Sequence, residues 1–330
     1  MSRPGARDGD HYRLGVLPPG LSMLWESVDP ALTLRRRFGF TGLDAVTGWL
    51  TAALREVWRI TVHGCPRMVI SDQNAIVWAD TDRGRLVVKW SRAGERFARL
   101  EASTRLLRTL AASGVPVAAP VATSDDRDRV VLDGPAGPLS VAVLPHLAGG
   151  WLDVTDRAAV HAAGACLARV HLALGACHPE GFARAGALTA RVGNWLADGD
   201  RGFAPTASRR LADLLAAAPS PGDEPQLVHN DFRAANVLVR GSRVVGVLDL
   251  DDVVVEHRVH DLAKAGTYLG TRFTNWGPTP AATRRWLRAG YESVRPLDPA
   301  EAHWYEVLDL WHGLLAVPGP DDPAGWAAAL

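Results

Sequence analysis

Between Gly42 and Ile60 the apolar residues Val46, Leu50, Ala53, Leu54 and Val57 recur at helical spacing, which predicts a helix there. The period then shortens. Arg67–Ser71, Ala75–Ala79 and Arg85–Trp90 are short β-favouring runs, parted by the turn-like Asp72-Gln73-Asn74 and Asp80–Gly84. They predict a three-stranded antiparallel meander. Phe97, Leu100, Leu107 and Leu110 then mark the stripe of a helix ending near Gly114, where Val115-Pro116 and Ala119-Pro120 break it. Strands at Val130–Leu132 and Leu139–Leu144 complete an α+β lobe of five antiparallel strands with one helix after the third.

After Pro145 the pattern is mainly helical. Val160, Ala163, Leu167, Val170 and Leu174 line one face of a helix for which Thr155 is the expected N-cap, and a second helix is expected over Ser208–Ala218. Two short strands, Val237–Val239 and Val244–Leu248, interrupt the helices, joined by Arg240–Arg243 with Gly241 where a hairpin turn needs it. Helices resume beyond Asp261. The first forty residues are punctuated by Pro and Gly, yet Trp25 and the apolar Leu21–Leu24 predict that part of them packs on the body.

Composition narrows the class. The 330 residues are 47% hydrophobic and 22% charged with zero formal net charge, so a folded globular protein is expected and nothing recommends nucleic acid as a partner. Met1–Asp10 is polar, and no run is read as approaching a membrane span, which points to a cytoplasmic protein without a membrane role. Cys65, Cys166 and Cys177 lack CxxC spacing and read as packing thiols. Among 36 basic residues only Lys89 and Lys264 are lysines, so each raises the question of what a planar guanidinium could not do in its place.

The chemistry concentrates in one stretch. His229-Asn230-Asp231-Phe232-Arg233-Ala234-Ala235-Asn236 fits H-x-D-x-x-x-x-N, and Asp249 follows thirteen residues after Asn236 at the end of an apolar strand. Phosphoryl transfer needs a carboxylate to accept the proton of the attacking hydroxyl and oxygen ligands for magnesium on the phosphates. Asp231 suits the first task, Asn236 and Asp249 the second. Upstream, Lys89 ends the third strand of the meander and Glu101 lies twelve residues on in the next helix, at i+4 from Phe97. A carboxylate on that face is expected to turn inward and pair with Lys89.

This arrangement resembles the aminoglycoside phosphotransferase and choline kinase superfamily, the small-molecule branch of the protein-kinase fold, from about Val69 to the C-terminus. The resemblance implies a bilobal α+β protein with an extension (1–41) packing on the body, a nucleotide-binding N-lobe (42–143), a hinge (144–148) and a helical C-lobe carrying the catalytic loop and acceptor site (149–330). It implies ATP or GTP with Mg2+ as cofactors, Lys89 on the α/β-phosphates paired with Glu101, Asp231 as catalytic base, and Asn236 and Asp249 as metal ligands. By the same resemblance Leu144, Pro145, His146 and Leu147 form the hinge, with the backbone of Leu144 and His146 meeting adenine, Val87 above the base and Leu238 and Leu248 below. Ser71 and Asn74 lie in the hairpin where the family holds phosphates, although no glycine occurs between Met68 and Arg83. Asp261 matches an aspartate that braces the catalytic loop, His229 supports that loop, His171 is expected to pack and Lys264 to be solvated.

A protein kinase needs a long activation segment, whereas Asp249 reaches Asp261 in twelve residues, which argues against a peptide substrate. The acceptor is therefore a hydroxyl on a small molecule. Asp251–Leu330 carries eleven Asp/Glu against seven Lys/Arg, so a cationic acceptor is expected, most of all an aminoglycoside-like antibiotic, with Asp251, Asp252 and Glu256 as candidate contacts. Trp276, Trp286, Trp304 and Trp311 could offer flat faces to sugar rings. The alternatives are a metabolic kinase of choline, homoserine or a sugar, and a non-catalytic pseudokinase. A monomer or weak homodimer is expected.

Overall fold

The computed structural model describes residues 19–197, 204–274 and 276–330, so Met1–Asp10 lies outside the described residues. The chain forms two compact units, one running to Ala112 and including Val117–Gly150, the other made of Ser113–Pro116 with Trp151–Leu330. The first contains β1 (Gly20–Met23), α1 (Pro30–Phe38), α2 (Leu43–Ala53), β2 (Val62–Ser71), β3 (Asn74–Thr81), β4 (Gly84–Ser91), α3 (Phe97–Ala112), β5 (Val130–Gly134) and β6 (Gly137–Pro145).

The five expected strands pair antiparallel. A sixth was not expected: β1 lies parallel to β2, from Gly20 opposite Arg67 to Met23 opposite Ile70, giving the order β1-β2-β3-β4-β6-β5. Four residues on an edge carry too short a pattern to be legible alone. Met23 is buried, whereas Trp25, expected to help pack this segment, is 46% exposed.

Alternation along the strands divides the sheet's faces. Met68, Ile70, Val77, Leu86, Val88 and Trp90 point to the face covered by α1 and α2, in one core with Leu34, Phe38, Phe40, Val46 and Leu50. The rings of Phe38, Phe40 and Trp49 meet Trp90 with centroids 5.7–6.2 Å apart. Each fully buried apolar side chain here contributes about 1.5–3 kcal/mol. The intervening residues Ile76, Trp78, Val87 and Lys89 are half-buried on the opposite face.

The second unit contains β7 (Gly150–Trp151), α4 (Arg157–Gly175), α5 (Leu188–Ala197), α6 (Pro205–Ala216), β8 (Gln226–Val228), β9 (Val237–Arg240), β10 (Arg243–Val247), β11 (Val254–Glu256), α7 (Arg258–Tyr268), α8 (Ala281–Glu292) and α9 (Pro299–Ala316). The N-cap of α4 is Asp156, not Thr155. The Asp156 carboxylate accepts from the N–H groups of Ala158 and Ala159, while Thr155 spends its own N–H and hydroxyl on Asp153. A carboxylate is the stronger acceptor at the positive end of a helix.

Contrary to the expectation of no such run, α4 is apolar and long enough to cross a membrane, with mean hydropathy 1.3. Its apolar character serves packing: 61% of that window is buried inside the protein. α4 meets α8 at two glycines. A Cβ on Gly164 would lie 1.9 Å from the Leu287 carbonyl oxygen, and one on Gly290 would lie 1.9 Å from that of His161. Backbone cannot yield as a flexible side chain can.

Gly164→Ala is therefore expected to force the two helices apart and to destabilise the protein by about 1–3 kcal/mol or more. Chemical denaturation measures it; an unchanged midpoint would refute the close crossing.

Candidate active site

The loop from His229 to Asn236 is held at its base by a buried carboxylate. Asp261, on the first turn of α7 and without exposure to solvent, accepts the backbone N–H groups of His229 (3.0 Å) and Asn230 (2.9 Å). His171 Nε2 donates to the same carboxylate at 2.9 Å, and His171 Nδ1 accepts from the Tyr291 hydroxyl at 2.9 Å. Burial by itself would push the Asp261 carboxyl up. The His171 hydrogen bond and the nearby Lys264 ammonium outweigh it and hold the group below its ordinary range. His171, read as packing, is thus a polar brace.

His229 is wholly buried and its tautomer follows from its partners. Nδ1 accepts the Asp231 N–H at 3.2 Å, so Nε2 carries the proton given to the Leu248 carbonyl at 3.0 Å. The Leu248 N–H in turn donates to the Asn236 carbonyl at 2.8 Å. Both ends of Leu248 are therefore bound to the loop, and Asp249, with φ 63°, is launched beside Asn236. The β9–β10 hairpin that delivers it turns at Gly241, φ 57°, as expected.

Asp231 faces three groups. Asn236 Nδ2 donates to its Oδ2 at 2.7 Å and to its backbone carbonyl at 2.9 Å. Arg233 Nε lies 3.0 and 3.2 Å from the two carboxylate oxygens. Burial pushes the carboxyl above its ordinary value; the charge of Arg233 opposes the rise, and that of Asp249 adds to it. A base with elevated affinity for a proton suits abstraction from a hydroxyl. Arg233, which sequence reasoning did not single out, also donates to the Arg272 carbonyl at 2.6 Å and stacks on Trp276 at 5.6 Å. Its position two residues after Asp231 was the available signal.

With its amide nitrogen committed to Asp231, Asn236 presents its oxygen as the remaining side-chain ligand. An amide oxygen and the Asp249 carboxylate are a hard, two-donor set, which fits a magnesium ion that keeps phosphate oxygens and water in its shell. No group of three or more His, Cys, Asp or Glu that could cage a metal occurs among the described residues.

Other expected site residues fall as follows. In the first unit Val87 and Lys89 share the half-buried face, opposite Leu144 and Ala142 of β6. Ser71 and Asn74 pair across a two-residue turn in which Asp72, at φ 41°, stands in the left-handed conformation without glycine. His146 is exposed, and its N–H donates to the Arg85 carbonyl. In the second unit Leu238 is buried and Leu248 half-buried.

Four expectations need correction. Glu101 does not turn inward: its side chain is 56% exposed and accepts from Arg105 one turn on. The buried polar positions of α3 are instead Ser103 and Thr104, the latter with its hydroxyl on buried Arg129. Glu256 is not open to an acceptor, being buried against Arg191 with its other oxygen on the His257 N–H. Trp304 and Trp311 are core, while Trp276 is exposed. Lys264 is not merely solvated: its ammonium donates to Asn230 at 2.7 and 2.9 Å. Cys166 is buried, and burial pushes its thiol up to about 11, which leaves it inert.

The sequence matches the Phosphotransferase enzyme family over residues 70–297. A homoserine kinase from Gluconacetobacter diazotrophicus is 32% identical over 215 residues; the match takes in 62% of this chain and 63% of the relative, so the chain spans less than two thirds of that relative's length. Among solved structures, a microcompartment-associated aminopropanol kinase superposes with TM-score 0.57 at 20% identity, covering 86% of this chain and 94% of that one. An amicoumacin kinase in complex with AMP-PNP, Ca2+ and Ami gives TM-score 0.54 at 16% identity, covering 85% and 90%. The two structural likenesses establish an α+β fold of the protein-kinase-like type.

Asp261→Asn tests the brace. An amide keeps one acceptor oxygen but turns an N–H group toward a donor, so one backbone N–H loses its partner inside the protein. The expected loss is about 3–5 kcal/mol of stability, the scale for breaking a buried charged network, measured by urea unfolding; a loss under about 1 kcal/mol would contradict this network.

Proposed function

We propose that this chain, which belongs to the phosphotransferase enzyme family, uses ATP with magnesium to phosphorylate the hydroxyl of a small amine-bearing alcohol. The observation that carries the reading is the Asp231 carboxylate, raised in proton affinity and fixed by Asn236 and Arg233. As the acceptor oxygen bonds to the γ-phosphorus, the bond from that phosphorus to the bridging oxygen of ADP breaks and the hydroxyl proton passes to Asp231. Arg233 stands where charge on the moving phosphoryl group needs a counter-charge. Asn236 and Asp249 would hold the magnesium, whose chemistry there is neutralisation of phosphate charge. Lys89 is the cation assigned to the α/β-phosphates.

The acceptor is argued from two sides. The curated relative is a homoserine kinase, and the solved neighbours include an aminopropanol kinase. Homoserine and aminopropanol are small alcohols that bear an amine. A polycationic, sugar-ringed antibiotic has less support, since Glu256 is committed to Arg191 and Trp304 and Trp311 lie in the core. Asp251, Asp252 and Trp276 remain as candidate contacts for an amine. A part in antibiotic resistance would follow only from turnover of an aminoglycoside.

Two outcomes are expected. Asp231→Asn lowers turnover by about 10²–10⁴-fold while magnesium-dependent nucleotide binding persists in calorimetry, whereas Asp249→Ala loses both; near-normal turnover in Asp231→Asn would remove the base assignment. In a coupled ADP-release assay, with product mass confirming one added phosphoryl group, homoserine-like amino alcohols are turned over in preference to choline, neutral sugars and aminoglycosides. Activity confined to neutral sugars would overturn the amine requirement, and activity confined to aminoglycosides would overturn the small acceptor.

A further inference from the structure

Lys264 sits in the third residue position after Asp261 on α7 and is half-buried. Its Nζ donates to two oxygens of one residue, the Asn230 carbonyl at 2.7 Å and the Asn230 side-chain oxygen at 2.9 Å. Asp261 takes the N–H of that same residue at 2.9 Å. One helix therefore grips Asn230 at its N–H, its carbonyl and its side chain. Asn230 holds a left-handed φ of 63°, and its Nδ2 donates to the Asp252 carbonyl at 3.1 Å, three residues beyond Asp249.

Asn230 is thus the residue from which the base projects and the one that ties it to the strand end bearing Asp249. The peptide joining Asn230 to Asp231 has its carbonyl fixed by Lys264, so rotation of that peptide, which would swing the Asp231 side chain, must break a charge-assisted hydrogen bond. We propose that Lys264 is a positioning residue for phosphoryl transfer, acting through Asn230 to fix Asp231 relative to Asp249. This rests on the reading of Asp231 as the base.

The residue type supports the assignment. In a chain that uses two lysines among 36 basic residues, an ammonium occupies this place. Three tetrahedral donors on a slim stem can meet a carbonyl and an amide oxygen of one residue from the same side, whereas a guanidinium presents its donors in a broader planar fork. A purely stabilising lysine would have no need to bind the residue before the base twice.

The full-length protein is compared with Lys264→Met, Lys264→Arg, Asn230→Gly and the double variant Lys264→Met/Asn230→Gly, using whichever acceptor the native enzyme turns over. Lys264→Met is expected to lower kcat by about tenfold or more, the scale of a small misplacement of a reacting group, with the KM for nucleotide little changed. Hydrogen exchange should quicken in the 226–236 peptide but not across the rest of the second unit. Lys264→Arg should not restore kcat. In the Asn230→Gly background, where glycine accepts the left-handed backbone, Lys264→Met should cost less than in the native background.

Native-like kcat and exchange in Lys264→Met would overturn the proposal, as would exchange that quickens uniformly with a fall in Tm, or full activity in Lys264→Arg. If Lys264→Met does not fold, Lys264→Gln replaces it with the same expected order. Should the native protein turn over no acceptor, the base assignment fails first, and the exchange comparison still decides whether Lys264 fixes the loop.

Discussion

A carboxylate sealed from water cannot stand alone, and the second unit is organised around keeping Asp261 satisfied. Stripping an ion of water costs several kcal/mol unless other groups replace the solvent. Here the replacements are His171 and the N–H groups of His229 and Asn230, each within 3.0 Å. Each partner imposes a condition elsewhere. A neutral His171 that donates from Nε2 leaves Nδ1 to accept, and the buried Tyr291 hydroxyl lies 2.9 Å away to donate to it. Tyr291 can reach His171 only because α4 and α8 approach through Gly164 and Gly290. A helix crossing without Cβ atoms is in this sense a requirement of the catalytic loop.

The loop's geometry then follows from backbone bonds more than from side chains. Asn230 and Asp249 both adopt a left-handed φ of 63°, a conformation that costs a non-glycine residue roughly 1 kcal/mol or more. Both are held there from outside, Asn230 by Asp261 and Lys264, and Asp249 through the doubly bonded Leu248. One strained residue directly precedes Asp231 and the other is Asp249 itself, so the strain lies where side chains must converge from separate stretches of chain.

Much of this was legible because it is local in sequence. Runs of β-favouring residues parted by turn-like segments placed β2, β3 and β4, and Gly241 marked the turn of the β9–β10 hairpin. What was not legible depends on angle or on distant partners. Glu101 lies one residue from buried Leu100, and a helical stripe is too broad to resolve 100° of rotation, so an inward reading became an exposed pair with Arg105. Glu256 looked like an acidic contact because its neutralising partner, Arg191, is 65 residues away in sequence. Lys264 looked solvated because its acceptors are oxygens of Asn230, which no pattern on its own helix reveals.

The same distinction bears on the acceptor. The groups proposed to hold metal and take the proton, Asn236, Asp249 and Asp231, are positioned by the backbone of one loop and one hairpin. Groups available to an acceptor are of a different kind. Trp276 is 52% exposed and rests on Arg233, which itself rests on Asp231. Trp276 is tied to this site by the stacked Arg233 guanidinium and by its indole N–H on the Arg272 carbonyl, and neither tie is one of the backbone bonds that hold the His229–Asn236 loop. On the proposed reading, chemistry and acceptor choice lie in separable parts of the second unit, and a relative that shares the first need not share the second.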